Sequence, residues 1–426
     1  MAATLLSVDE CTRDIDFISA YGPLVAAQID RACEIVVVIP ARDERETLPD
    51  TLAALAQQRD LHGRQLPRCR FEVIVLANNC ADDTATVARQ FAVTNPDVAL
   101  HVAELDLPEE HAHVGVARRL LMDEAARRLH LTRRGAAGVI VSTDADTVAD
   151  PTWLAATLAE VSRGADAVGG RIIVDPADVS NWHERTRAWH LRDVGYRMLA
   201  SELDWHLDPV KSDPWPRHFQ HFGPSIAVTV DAYERAGRLP VVPALEDVGL
   251  YRALQRIDAR VRHSPDVRVC TSGREIGRVG FGFSVQLQLW AEQERQSVPF
   301  MVESPQAIAA AAVARRRLRR AWVERESRLA HQPECLAADL CVTPQLLSEL
   351  LESSATFGVL LQQIEVEREQ TGCWAERWPP MEIGSAIATL REWLAALRQP
   401  DAVRSNRSSR YSSSRCPERC CSSGAP

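Results

Sequence analysis

Lysine is nearly absent from this chain: Lys211 is the only one in 426 residues, and arginine carries the rest of the basic charge. No G-x-x-x-x-G-K-[ST] run occurs, which excludes a P-loop nucleotide site. Positive charge is in deficit too. The formal net charge is −9, whereas a surface that neutralises nucleic-acid phosphates must be positive, so no nucleic-acid partner is expected. Long apolar runs are missing; none approaches the roughly 18 residues that span a bilayer, so no transmembrane segment is expected. The opening "MAATLLSVDECTRDI" lacks the basic start of a secretory signal. Eleven cysteines occur without framework or metal-ligand spacing, which suits a reducing compartment and a cytoplasmic location. Cys416, Cys420 and Cys421 cluster in an Arg/Ser tail, but a zinc site there would need a fourth ligand.

Hydrophobic residues make up 46% of the chain, ample for a large core. "EIVVVIP" (34–40) is continuous, apolar and β-branched, the pattern of a strand buried on both faces. A helical stretch follows around "ETLPDTLAALAQQ", then a second buried strand, "FEVIVLANN" (71–79), and a helix opened by acids, "DDTATVARQFAV". "DVALHVAEL" (97–105) reads as a third strand, "VGVARRLLMDEAARRL" (114–129) as an amphipathic helix and "AGVIVSTD" (137–144) as a fourth strand. Such alternation predicts an α/β fold, a doubly wound, Rossmann-like sheet. The stretch after Val174 reads as irregular and Trp-rich, with Trp182, Trp189, Trp205 and Trp215. "FGPSIAVTVDAYERAG" (222–237) reads as a strand entering a helix, and "ALEDVGLYRALQR" as a helix with Glu246 and Asp247 in its first turn. The pattern divides the chain into an N-terminal extension (1–33), an α/β domain (34–285), a helical region (286–398) and a tail (399–426) too poor in apolar residues to fold.

Ligands of such sheets bind beyond the carboxyl ends of the strands. That directs attention to Pro40–Glu44, to Asn78 and Asn79, and to "STDADT" (142–147). No G-x-G-x-x-G follows the first strand, so a dinucleotide site is not expected. Residues at i and i+2 of an extended segment share a side, so Asp144 and Asp146 can offer two hard oxygen ligands to one point. Oxygen ligands suit Mg²⁺ or Mn²⁺, which are usually held by one or two carboxylates plus substrate phosphates. The alternative for this pair is a solvated turn capping the next helix.

Four stretches in order, "VVVIPARDE" (36–44), "VLANNCADDT" (75–84), "STDADT" (142–147) and "ALEDVGLYRAL" (244–254), resemble the family-2 glycosyltransferases with their GT-A fold. The resemblance implies a nucleotide-diphospho-sugar donor, Mn²⁺ or Mg²⁺, and an acceptor that is a glycan, a lipid or a small molecule. It implies that Pro40, Ala41 and Glu44 line the nucleotide pocket, that Asp146 holds the metal and that Asp144 reaches the ribose or the ion's sphere. Asp247 becomes the general base, with Glu246 beside it. Arg42, Asn78, Asn79, Arg118, Arg274 and Arg278 complete the implied donor-binding set, the two last as a diphosphate clamp. Two departures stand out: Asp43 replaces the usual Asn, and Ala77, Asn78 and Asn79 stand where aspartates usually begin the second turn. The nucleotide base is therefore left open.

Other candidates have bland readings beside functional ones. Arg119 can serve the diphosphate or a solvated helix face. His218 and His221 can contact metal or acceptor, or fill core; the Trp-rich stretch can stack on a sugar or fill core. "ARRRLRR" (314–320) can touch an anionic membrane surface or form a solvated face. A nucleotidyltransferase of similar fold and a non-catalytic nucleotide-sugar-binding protein are the alternatives to an inverting transferase.

Overall fold

The first apolar run forms strand β1 (Ile35–Ala41), buried on both faces as its composition requires. The computed structural model describes it among residues 17–18, 20–274, 298–325 and 333–398. Alternation divides its side chains: Val36 and Val38 enter one core, Ile35, Val37 and Ile39 the other. Strands β2 (Phe71–Asn78), β3 (Leu100–Leu105) and β4 (Val139–Ser142) complete a parallel half-sheet in the order β3-β2-β1-β4. Helix α1 (Leu48–Ala56) closes one face through Leu48, Leu52 and Leu55. Helix α2 (Thr84–Thr94) follows β2, and α3 (Val114–Leu129) closes the opposite face through Val116, Leu120 and Leu121.

Past β4 the sheet becomes mixed. Strands β5 (Thr147–Ala149), β6 (Ala167–Val174), β7 (Ile226–Thr229) and β8 (Val261–Thr271) extend it as β4-β7-β6-β8-β5. Of these pairs only β6–β8 is parallel. Helix α4 (Trp153–Ser162) packs Trp153 and Leu154 into the core that α1 covers. The α/β doubly wound reading is thus the fold observed.

Two elements depart from the sequence reading. Most of the Trp-rich stretch is helical, with Trp189 and Trp205 on it and Trp182 and Trp215 outside: after the short α5 (Pro176–Asn181) comes α6 (Glu184–Leu207), 24 residues long. Its buried positions include Thr186, Asp193, Ser201 and Glu202 beside Tyr196 and Leu203, so no apolar stripe announces it. Ion pairs from distant helices hold it, Arg398 on Glu202 at 2.7 Å and Arg315 on Asp204 at 2.7 Å. Strand β8 has no plain strand signature because Pro265 interrupts it; the partner register jumps there, from Gly170 opposite Ser264 to Arg171 opposite Arg268.

Helix α7 (Val230–Arg235) follows β7, and α8 (Glu246–Arg256) precedes β8. The expected C-terminal helices are α9 (Pro305–Glu324), α10 (Pro333–Leu340), α11 (Pro344–Ser353), α12 (Phe357–Thr371), α13 (Cys373–Arg377) and α14 (Ile383–Arg398). Strands β9 (Met301–Val302) and β10 (Met381–Glu382) pair as a ribbon. One small core gathers Leu318, Leu336, Leu347 and Leu360; another joins Tyr196 and Leu203 to Ile308, Ile383 and Leu390. Asp258 accepts the Phe357 and Gly358 amides at 3.0 and 2.8 Å, docking α12 on the end of α8. Only glycine fits at 358, where a Cβ would stand 1.8 Å from the Gln255 carbonyl.

Within "ARRRLRR", Arg315 pairs with Asp204 and Asp208, Arg319 with Asp208 and Arg317 with Asp339. Arg315 and Arg319 thus turn toward α6, while Arg316, Arg317 and Arg320 stay exposed. Among the described residues no helix is long and apolar enough to cross a membrane. Residues before β1 join the sheet core through Ile18 and Val25. Arg278, the tail and its three cysteines lie outside the described residues.

Candidate active site

The parallel strands deliver their carboxyl ends to one edge, and the chain there is tightly turned. Asp43 after β1 (φ 55°), Asn79 after β2 (φ 50°) and Leu245 before α8 (φ 62°) are left-handed, three of six such non-glycine residues among those described. Held strain of this kind clusters at functional sites.

Asp144 and Asp146 follow β4. The Asp144 carboxylate accepts from Arg118 Nη2 at 2.8 Å, and the Asp146 carboxylate lies 3.1 Å from Arg274 Nη2. Glu44, from the turn after β1, takes both Arg274 terminal nitrogens at 3.0 and 2.6 Å. Burial, reinforced by the neighbouring Asp144 charge, pushes the Asp146 carboxyl up to about 6; Arg274 opposes the shift. Glu44, Asp144 and Asp146 thus surround one guanidinium with more negative charge than it can neutralise.

Helix α8 brings the second carboxylate pair. Glu246 is buried and accepts from Arg118 Nε at 3.0 Å. Asp247 accepts the Gly223 amide at 2.7 Å and the Val248 amide at 2.7 Å. Burial raises both carboxyls, and the Arg118 charge opposes the shift for each. Arg118 therefore joins the Asp144 turn to the start of α8. It also donates to Ser142 Oγ and, at 3.4 Å, to the Gly223 carbonyl. Its side chain is 3% exposed, so it stands behind the site instead of lining it.

The nucleotide end of the set is more varied. Pro40 is half-buried, Ala41 and Asn78 are buried, and Arg42 is exposed with Nη1 donating to the Ala112 carbonyl at 3.1 Å. Asn79 uses both ends of its amide on Leu107, donating to the carbonyl at 2.8 Å and accepting from the amide at 3.2 Å. Asp43, Cys80 and Asp82 bring ligand atoms within 4.8 Å of one another. Local bonds engage both acids: Asp43 accepts the Ala81 amide at 2.6 Å and Asp82 the Thr84 amide at 2.9 Å. They read as a clasp between the first two turns.

The remaining candidates fall outside the constellation. Arg119 is buried against Asp123 at 2.7 Å and the Leu239 carbonyl at 2.6 Å. His218 is buried with Nε2 3.1 Å from the Ser264 carbonyl and Nδ1 accepting the Gln220 amide at 3.0 Å, a core histidine. His221 stacks on Tyr251 of α8 with centroids 3.8 Å apart. Trp182 is buried, its Nε1 donating to the Gly273 carbonyl at 2.7 Å. Sequence reasoning missed Gly223, whose amide and carbonyl serve Asp247 and Arg118 at once; nothing local in "HFGPS" marks it.

Residues 36–224 match the model of Glycosyl transferase family 2. This stretch is a family 2 glycosyltransferase domain. The mixed sheet with helices on both faces and further helices after it agrees with the GT-A class expected of the family 2 domain. Among solved structures, mannosyltransferase PcManGT of Pyrobaculum calidifontis, in complex with GDP-Man and Mn²⁺, aligns with 16% identity and TM-score 0.38, over 91% of this chain and 94% of its own. TarS 1-349 of S. aureus, in complex with UDP-GlcNAc, aligns with 14% identity and TM-score 0.42, over 80% and 92%. Glucosyl-3-phosphoglycerate synthase of M. tuberculosis aligns with 16% identity and TM-score 0.34, over 70% and 88%. No curated protein sequence matches the chain.

Proposed function

We propose that the family 2 domain transfers a sugar from a nucleotide diphosphate to an acceptor hydroxyl with inversion, using a divalent cation and Asp247 as general base. One observation carries the reading: a single buried guanidinium, Arg118, bonds both Asp144 of the D-x-D turn and Glu246 beside Asp247. Motifs about a hundred residues apart in sequence thereby share one constellation, as a transferase needs where donor meets acceptor.

The donor set fits Mn²⁺ or Mg²⁺. Asp146 and Asp144 supply hard oxygens, and five carboxylates (Glu44, Asp144, Asp146, Glu246, Asp247) face two guanidiniums, Arg118 and Arg274. Asp146 and Asp144 would hold the ion, which when bound supplies neutralisation of charge developing on the leaving diphosphate. Arg274 would turn part of its charge to the same phosphates, and Pro40, Ala41, Arg42, Glu44, Asn78 and Asn79 would bound the nucleotide. Asp247 takes the acceptor proton. Burial raises its proton affinity, and the Gly223 and Val248 amides each hold one of its oxygens at 2.7 Å, which fixes the orientation in which the carboxylate would meet an acceptor hydroxyl. In this reading residues 34–285 form the transferase domain and 286–398 a helical appendage, in a cytoplasmic enzyme.

Asp247→Asn tests the assignment. Turnover should fall about 10²- to 10⁴-fold while nucleotide-diphosphate affinity stays near that of the wild type. Retained turnover would remove Asp247 as the base.

A further inference from the structure

We infer that Arg118 is a positioning residue, one buried cation that locks the donor-side and acceptor-side carboxylates into a single frame. The inference rests on the transferase reading above, and it departs from a role for Arg118 as a ligand of the diphosphate. Three observations carry it. The side chain is 3% exposed, so its charge meets protein groups and not a bound phosphate. Its nitrogens serve four partners on separate segments: Ser142 at the end of β4, Asp144 in the following turn, Gly223 before β7 and Glu246 at the start of α8. Finally, the guanidinium fills the space beside Gly223: a Cβ there would lie 2.8 Å from Arg118 Nη2, so any side chain at 223 displaces the fork.

Gly223 completes the linkage. Its carbonyl accepts from Arg118 while its amide donates to Asp247. Moving the guanidinium therefore disturbs Asp144 directly and Asp247 through one intervening residue. The planar fork matters because a lysine ammonium on a single stem cannot reach these partners at once. Removing the cation also leaves buried Glu246 uncompensated.

The test compares wild type with Arg118→Lys, Arg118→Gln and Gly223→Ala, each checked for folding by circular dichroism. Gly223→Ala keeps the charge and displaces the fork, so it stands in wherever an Arg118 variant fails to fold. Calorimetry with UDP and with GDP plus Mn²⁺ reads donor-side affinity; turnover at saturating UDP-sugar or GDP-sugar reads the acceptor side. The expected result is a joint loss, affinity down about tenfold and saturating kcat down roughly 100-fold, with no rescue by lysine. Loss of affinity alone, with saturating kcat kept, would make Arg118 an ordinary donor ligand and overturn the inference. Unchanged affinity and kcat, or full rescue by lysine, would overturn it as well. A wild type that binds neither nucleotide would instead defeat the transferase reading itself.

Discussion

Asp146 is a half-buried carboxyl pushed up to about 6, by burial first and by the Asp144 charge second, with Arg274 as its nearest relief. A cation bound there would relieve the same repulsion, and the metal assignment itself rests on the place of Asp146 in the D-x-D turn after β4. Arg274 links that carboxylate to Glu44, spanning the turn after β1 and the segment after β8. Charge-assisted bonds to phosphate are worth about 1.5–3 kcal/mol each, so Arg274→Ala should weaken nucleotide-diphosphate binding roughly tenfold or more by calorimetry. Unchanged affinity would remove Arg274 from the donor site. At this scale the sequence was informative where a motif names its own residue, as with Asp144, Asp146 and Asp247. It was uninformative where a role depends on who faces whom. Arg118 and Arg119 are adjacent and alike in sequence, yet one reaches Asp144 and the other turns to Asp123.

At the scale of elements, α8 shows how local strain serves a site. Leu245, left-handed at φ 62°, turns the chain so that Glu246 and Asp247 begin the helix at the sheet edge. A left-handed residue other than glycine costs about 1–2 kcal/mol, and the Leu245 side chain is 40% exposed, with little burial to offset the cost. Leu245→Gly should therefore raise stability by about 1 kcal/mol in denaturant melts; a loss would mean that Leu245 packing outweighs its strain. The buried strands β1 and β2 and helix α3 were legible because their apolar patterns are local. Helix α6 was not, since charged residues at its buried positions find partners on α9 and α14. Strand β8 was hidden by Pro265, which a bulge accommodates.

Across the whole molecule, the C-terminal helices dock through α9 and α14 on α6 and through α12 on the C-terminal end of α8. The half-sheet beyond β4 is knit partly by His218, whose imidazole burial pushes down to about 3. In the unfolded chain a histidine titrates near 6.5. The depressed group thus contributes stability that is present above about 6.5 and is lost as pH falls toward 3. Between pH 6 and 4 the loss should approach about 1.4 kcal/mol per pH unit from this one residue. His218→Gln should flatten that slope in denaturant midpoints measured against pH; an identical slope would contradict the burial argument. The decisive measurement for the molecule is a thermal-shift titration of wild type and Asp146→Asn with UDP and GDP, with and without Mn²⁺. A ligand at a hundredfold its Kd adds about 2.7 kcal/mol, so the wild type should melt several degrees higher with one nucleotide plus Mn²⁺. Neither component alone should reproduce the shift, and Asp146→Asn should abolish it. A wild type whose melting is indifferent to Mn²⁺ with either nucleotide would contradict metal-dependent nucleotide-sugar transfer at this site.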